Sequence, residues 1–565
     1  MLPANAQFIN SHNNLDSIVS KIKKTTYTQL YTNIKLPEEF KVCKDFKNLD
    51  QLLVAYLADR LNPIFVANGT AKAFDTFDDR NRFIFGSDNR WFVDVSDLGK
   101  GKTHNTADIN PNQYAHKRII FLKNKKFDRN TETLDGFVPF PARHRGLIRD
   151  GIESFDGSPS FRRAKRDEIP DIEANCVNPV MPCSLCDHKR TCTKGTNPFG
   201  FNARHEINQS KDCTRILAHP LSLQSIELRP DDIVIVDEAS ALLELTQTVA
   251  FDDNMRALVD YLSISGHHKM PFSEQEVDQW DFDTIKEKCR EQLAFSDDNL
   301  NVEHLLMDES RTDLIDGDLM SVLKFINIVG NDKSFFDAPS STVMSPNEAL
   351  IAELDKAGKV ILLDATCNVA IFRMFGIDVT PVKVGHAGIK TCNGNLTIHC
   401  MEGLPKINNM STDFDKREIN KVRDKLASDY GDTIGFVAPK VIAKENDIVT
   451  FVNSRGSNLL QNKKVVACLA TPTINLGAAR LSFNALFYPL TYETAPHVFS
   501  EYYSSLNDSE LLQIAGRTRF TRRLTEDLKF YIVSEPWKLQ WIKHLGMKIH
   551  NPNKKSIGKF SIKKK

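Results

Sequence analysis

The sequence predicts an α/β protein with two successive domains, each a parallel sheet under helices. Three observations carry this. Short apolar runs rich in β-branched residues recur along the chain without the polar alternation of half-exposed strands, so they read as strands buried on both faces. Helical patterns lie between them, as in FDKREINKVRDKLAS at 414–428, and alternating β and α segments build parallel sheets. The runs fall into two sets that meet near 375–395.

Taken in order, residues 1–50 read as a helical lead-in, and the first domain is expected over 51–380. Its strands are predicted at 91–95 (WFVDV), 118–122 (RIIFL), 215–218 (RILA), 232–236 (DIVIV) and 359–363 (KVILL). Two stretches interrupt the alternation and read as insertions. Residues 140–214 hold clustered cysteines, Pro, Asn and the basic runs PARHRG and FRRAKR; residues 250–345 look helical and acidic around EQEVDQWDFDTIKEKCREQLAF. The second domain is expected over 385–545, with strands at 396–400 (LTIHC), 433–438 (TIGFVA), 465–470 (VVACLA) and 529–533 (KFYIV). A basic tail, 546–565, closes the chain, with six lysines and no acid from Asn551 onward.

Charge narrows the function. Among 565 residues, Lys+Arg and Asp+Glu balance at 73 each, so a nucleic-acid partner would have to meet positive charge concentrated locally. The N-terminus lacks the basic-then-apolar pattern of a secretion signal, and no run reaches the roughly 18 apolar residues of a membrane span. The expectation is a soluble intracellular protein with no membrane partner. Thiols stay reduced there, so clustered cysteines suggest metal rather than disulfides.

The run at 91–95 leads into a glycine-containing loop, Gly99-Lys100-Gly101-Lys102-Thr103. A strand entering such a loop before a helix exposes backbone N–H groups to phosphate. Lys102 would reach the β- and γ-phosphates of ATP, and the Thr103 hydroxyl would bind Mg²⁺. Five residues before Gly101, where a phosphate loop usually has glycine, stands Ser96. Further on, DIVIV ends in Asp237-Glu238, followed by Ala239-Ser240. A buried parallel strand delivers such carboxylates to the C-terminal edge of the sheet, where ligands sit. Asp237 would hold Mg²⁺ and Glu238 would orient or deprotonate the attacking water.

Near the end, SELLQIAGRTRF (509–520) sets Gln513 and Arg517 four residues apart on one helical face. Asn507 and Glu510 have the spacing of a capping box, which predicts that this helix starts there.

The order of these motifs resembles superfamily 2 helicases, over roughly residues 90–535. DEAS stands where that family has DEAD, DEAH or a related tetrad. Asp364-Ala365-Thr366 replaces the commoner Ser-Ala-Thr of motif III. FVNSRGSNLL (451–460) looks like motif V through Arg455-Gly456 and Asn458, and 509–520 looks like motif VI. The resemblance implies two RecA-like domains with ATP between them and an arginine finger on the developing γ-phosphate charge. The family's second arginine usually lies three residues after the first; here that place is Phe520 and the arginine is Arg519, so either Arg517 or Arg519 is the finger.

The cysteines follow Cys176-x6-Cys183-x2-Cys186-x5-Cys192, with Cys213 beyond them and His188 as a substitute ligand. Four thiolates with a C-x2-C core suit Zn²⁺ or a [4Fe–4S] cluster. They lie between the phosphate loop and the acidic pair, where helicases similar to the XPD and DinG branch carry an iron–sulfur domain. PARHRGL, CSLC, RILAHPLSL and IVDEAS also resemble the helicase half of cyanobacterial plasmid replication proteins. That likeness implies plasmid or plastid genome replication, in bacterial cytoplasm or plastid stroma, beside a primase or polymerase. Single-stranded DNA would contact Arg143, His144, Arg145, Arg162, Arg163, Lys165 and Arg166, with Phe137, Phe140 and Phe161 stacking on bases. The rival expectation is a non-enzymatic replication initiator on the same fold.

Overall fold

In a computed structural model, the residues described are 71–96, 101–114, 116–123, 136–140, 147–153, 159–163, 206–210, 213–264, 272–295, 316–385, 396–407, 411–445, 447–449, 459–471, 474–488, 490–493, 495–520, 523, 525–534 and 548–550. Within them the chain forms two parallel sheets, with elements numbered in chain order.

The first sheet has eight strands: β1 (Lys72–Phe74), β2 (Trp91–Asp94), β3 (Arg118–Leu122), β4 (Val138–Pro139), β7 (Arg215–Ala218), β8 (Asp232–Asp237), β12 (Lys359–Leu363) and β13 (Thr380–Val384). Their order is β1-β13-β2-β12-β8-β3-β7-β4, and every neighbouring pair is parallel. The sheet is RecA-like in setting β12 between the phosphate-loop strand β2 and the acidic-pair strand β8. Alternation along each strand feeds two cores. Val93, Ile120, Val234, Val236 and Leu362 join one; Phe92, Ile119, Phe121, Ile233, Ile235 and Ile361 join the other. Burial on both faces is why these runs are continuously apolar, each buried aliphatic side chain contributing about 1.5–3 kcal/mol. A hairpin, β5 (Leu147–Glu153) with β6 (Pro159–Arg163), forms a two-stranded sheet of its own, with β6 lying against β4.

The stretch between β8 and β12 is mixed rather than helical throughout. Strands β9 (Thr246–Ala250), β10 (Phe335–Asp337) and β11 (Thr342–Pro346) form an antiparallel sheet in the order β10-β11-β9. Helices α4 (Asp253–Ile264), α5 (Glu274–Gln279), α6 (Phe282–Phe295) and α7 (Asp316–Val329) accompany it around an aromatic core of Phe251, Phe272 and Phe325. These strands carry Thr, Gln and Ser among short apolar pairs, too little pattern to stand out from the flanking helices.

The second sheet has the order β16-β15-β17-β18-β14-β19, again wholly parallel, from β14 (Leu396–Cys400), β15 (Ile434–Ala438), β16 (Ile448–Val449), β17 (Val465–Cys468), β18 (Leu528–Ile532) and β19 (Lys548–His550). Its helices are α10 (Asp413–Tyr430), α11 (Leu476–Leu486) and α12 (Pro496–Ala515). A capping box, Thr412 with Asp415, starts α10. The first unit's helices are α1 (Phe77–Gly86), α2 (Lys102–Ala107), α3 (Ala239–Leu242), α8 (Glu348–Leu354) and α9 (Val369–Met374). Among the described residues, no helix is long and apolar enough to cross a membrane.

Candidate nucleotide site

β2 ends at Asp94, and the chain passes through Ser96 into the phosphate loop. Gly99 lies outside the described residues. Gly101 has φ 91°, left-handed backbone that requires glycine at this turn. The next residue starts α2, and Asn105 N donates to Gly101 O at 3.0 Å. The Lys102 ammonium donates to the Ser96 carbonyl, across the base of the loop.

β8 lies one strand beyond β12 and delivers the acidic pair to the same sheet edge. Thr103 Oγ1 donates to Asp237 Oδ1 at 3.0 Å, so residues 134 positions apart share one hydrogen bond. Burial first, and the neighbouring Glu238 charge second, push the Asp237 carboxyl up to about 6; the Thr103 hydrogen bond, Lys123 and Lys102 pull the other way. Glu238 is left-handed, φ 53° and ψ 51°, uncommon for a residue with a Cβ and costly enough to need support. Its N–H supplies some, donating to Leu363 O on β12 at 2.9 Å.

Asp364 follows β12 and is almost fully buried. Its Oδ2 accepts Ser240 N at 2.7 Å and the Ser240 hydroxyl; its Oδ1 accepts Thr366 N at 2.7 Å and Thr366 Oγ1 at 2.8 Å. The serine of DEAS and the aspartate of Asp-Ala-Thr are thus hydrogen-bonded to each other.

The second unit reaches this edge through α12. Ser509 Oγ lies 3.4 Å from Thr366 O, and Gln513 Nε2 lies 3.4 Å from Thr366 Oγ1. One turn on, Arg517 Nη2 is 3.5 Å from Glu238 Oε1. Arg517 is buried in a 3₁₀ turn, Gly516–Thr518. Arg519 caps that turn in left-handed backbone with its N–H on Gly516 O at 3.0 Å, and Phe520 is core. Arg517 thus meets the acidic pair. Thr366 entered the sequence reading only as part of Asp364-Ala365-Thr366, and Ser509 was given no role; the helical spacing of Ser509 to Gln513 was the available signal.

Two expectations need correction. Asn507 does not start a helix: α12 already runs from Pro496, and the Asn507 side chain instead accepts Ile474 N at 3.0 Å and donates to Tyr503 O at 2.9 Å. Tertiary contacts around Tyr502 and Phe499 carry the helix through that point. Phe137 and Phe140 are not available to stack on bases. Both are buried, and Phe137 packs edge-on against Phe121 with ring centroids 5.9 Å apart.

Arg143, His144, Arg145, Lys165, Arg166, the motif V residues Arg455, Gly456 and Asn458, and Cys176, Cys183, Cys186, Cys192 and His188 lie outside the described residues. Arg162, Arg163 and Phe161 lie on β6. Cys213 is a buried thiol of the first core. Among the described residues, no group of three or more His, Cys, Asp or Glu is placed to hold a metal.

No protein-family model matches this chain, and no curated protein matches it. It is similar to solved structures titled "XPD_Helicase" (TM-score 0.42, 10% identity, 84% of this chain and 98% of that one) and "XPD_APO" (TM-score 0.41, 9% identity, 84% and 100%). A further likeness is to S. cerevisiae Dbp5 bound to RNA and ADP BeF3 (TM-score 0.27, 11% identity, 93% and 94%). Values this low say nothing of activity.

Proposed function

We propose that this chain hydrolyses ATP in the cleft between its two parallel sheets and uses the cycle to translocate along single-stranded DNA or unwind duplex DNA. One observation carries the reading. The phosphate loop, the acidic pair and the α12 arginine come from three distant parts of the sequence, and they meet through Thr103–Asp237 and Glu238–Arg517.

The chemistry follows from the side chains. Loop N–H groups and Lys102 would hold the phosphates. The Thr103 hydroxyl and Asp237 carboxylate form the oxygen donor set that suits Mg²⁺, which when bound neutralises phosphate charge. Glu238 would take the proton of the attacking water. Arg517 would leave Glu238 for the γ-phosphate, and Gln513 would sense it through Thr366. Gly99 would belong to the phosphate loop, and Arg519 would support Arg517 from the next turn.

The finer reading rests on sequence. It is an XPD- or DinG-like helicase with a [4Fe–4S] cluster or Zn²⁺ on Cys176, Cys183, Cys186 and Cys192, serving plasmid or plastid replication beside a primase or polymerase. The test of the enzyme is ATP turnover with and without single-stranded DNA. Lys102→Ala should abolish DNA-stimulated hydrolysis while circular dichroism and melting temperature stay those of the wild type. Undiminished turnover in that variant refutes the reading, and a wild type that binds DNA without turnover favours the non-enzymatic initiator.

A further inference from the structure

We propose that Arg80, which belongs to none of the nucleotide motifs, is a positioning residue of the phosphate loop, tying Asp94 and Ser96 ahead of it to α2 after it. The proposal rests on the reading of residues 97–103 as that loop.

Arg80 lies on α1, ahead of β2, with its side chain fully buried. Its Nη1 is ion-paired to Asp94 Oδ2 at the end of β2, and both side chains are 0% exposed. The other Asp94 oxygen, Oδ1, accepts Ser96 N at 2.8 Å and the Ser96 hydroxyl. Ser96 Oγ in turn accepts Val384 N from β13 at 2.8 Å, and the Ser96 carbonyl accepts Lys102. On the far side of the loop, Arg80 Nη2 donates to Thr106 Oγ1 in α2 at 3.0 Å. One guanidinium therefore ties the residue entering the loop to the helix leaving it. It also accounts for Ser96 where phosphate loops usually have glycine: the hydroxyl is part of the tie.

Stability does not require this arrangement. A buried ion pair loses so much hydration that apolar side chains of similar volume serve as well or better. A planar fork with several donors does supply fixed geometry, which a lysine or an apolar pair cannot. Loop N–H groups must converge on phosphate oxygens, and a loop fixed at both ends loses less freedom on doing so.

The experiment uses the full chain and compares wild type, Thr106→Val and Arg80→Lys. Readouts are KM for ATP and kcat in DNA-stimulated hydrolysis, affinity for single-stranded DNA without nucleotide, and melting temperature. Thr106→Val removes only the far tie, and its KM for ATP should rise about fivefold, the worth of one hydrogen bond. Its kcat and DNA affinity should hold, and its melting temperature should fall only by the few degrees that one buried hydrogen bond is worth, leaving the protein folded at the assay temperature. Arg80→Lys keeps the charge on Asp94 but cannot fork to Thr106, and should raise KM at least as much. Wild-type KM in both variants overturns the proposal, as does a loss of activity that only follows a lowered melting temperature. If the wild type itself neither binds nor hydrolyses ATP, the nucleotide reading fails and this proposal falls with it; if it does and the variants match it, only the role of Arg80 falls.

Discussion

Asp237 ends β8 beside a second carboxylate, and burial together with Glu238 holds its carboxyl at about 6, against 3.8 when unperturbed. The native state therefore grips this proton more tightly than the unfolded chain does. The resulting stability is present in full below about 3.8 and is lost as pH rises through about 6. A divalent cation needs the ionised form, so the apparent affinity for Mg²⁺-ATP should fall about tenfold for each pH unit below that higher value. Titration calorimetry across the interval checks this, and a flat profile would sink it. Asp237→Asn should remove the acidic step and raise the melting temperature at neutral pH, since it deletes a buried charge. That Asp237 and Glu238 stand at the end of a buried strand was legible from the apolar run that precedes them. The upward shift of the Asp237 carboxyl was not, because it depends first on how far the folded chain buries the group.

At the scale of elements, the ends of β8 and β12 are joined through Ser240 and Asp364, and Asp364 passes the connection to Thr366 and so to α12. Either single exchange, Ser240→Asp or Asp364→Ser, should cut DNA-stimulated hydrolysis at least tenfold. The first buries two facing carboxylates; the second leaves the Ser240 and Thr366 donors without their acceptor. The double exchange restores one carboxylate and one hydroxyl, and should recover much of the activity. Steady-state assays of the three variants decide it: a double variant no better than the worse single means the contact is incidental. The strands themselves were legible to within two residues because their runs are continuously apolar. Lys72–Phe74 and Thr380–Val384 were missed because short segments with Lys, Thr and Pro carry no such pattern, although both complete the first sheet. Asn507 misled for a related reason. A side chain that can cap a helix can also serve within one, and only the neighbouring Ile474 and Tyr503 decide which.

At the scale of the whole molecule, the described residues of the two parallel-sheet units meet at two sites distant in sequence. One is the nucleotide edge. The other is distant in sequence from any motif: α11 packs against all three strands of the β10-β11-β9 sheet. On the proposed function, closing the cleft on ATP would therefore move or load this second contact too. Hydrogen exchange should show α11 and β10–β11 changing protection together with the C-terminal end of α12 when an ATP analogue and single-stranded DNA are added. The Lys102→Ala variant should show neither change. Protection that alters in α12 while α11 stays constant would place the hinge elsewhere.

Read alone, the sequence determined the α/β class and the positions of the apolar parallel strands, because periodicity is a local property of the chain. Tertiary structure decided which residues meet: Thr103 with Asp237, Arg517 with Glu238, Arg80 with Asp94 and Thr106, and α11 with the inserted sheet. Those pairings depend on strand order and on how one unit sits against the other, and a parallel sheet brings together residues more than a hundred positions apart without any local trace.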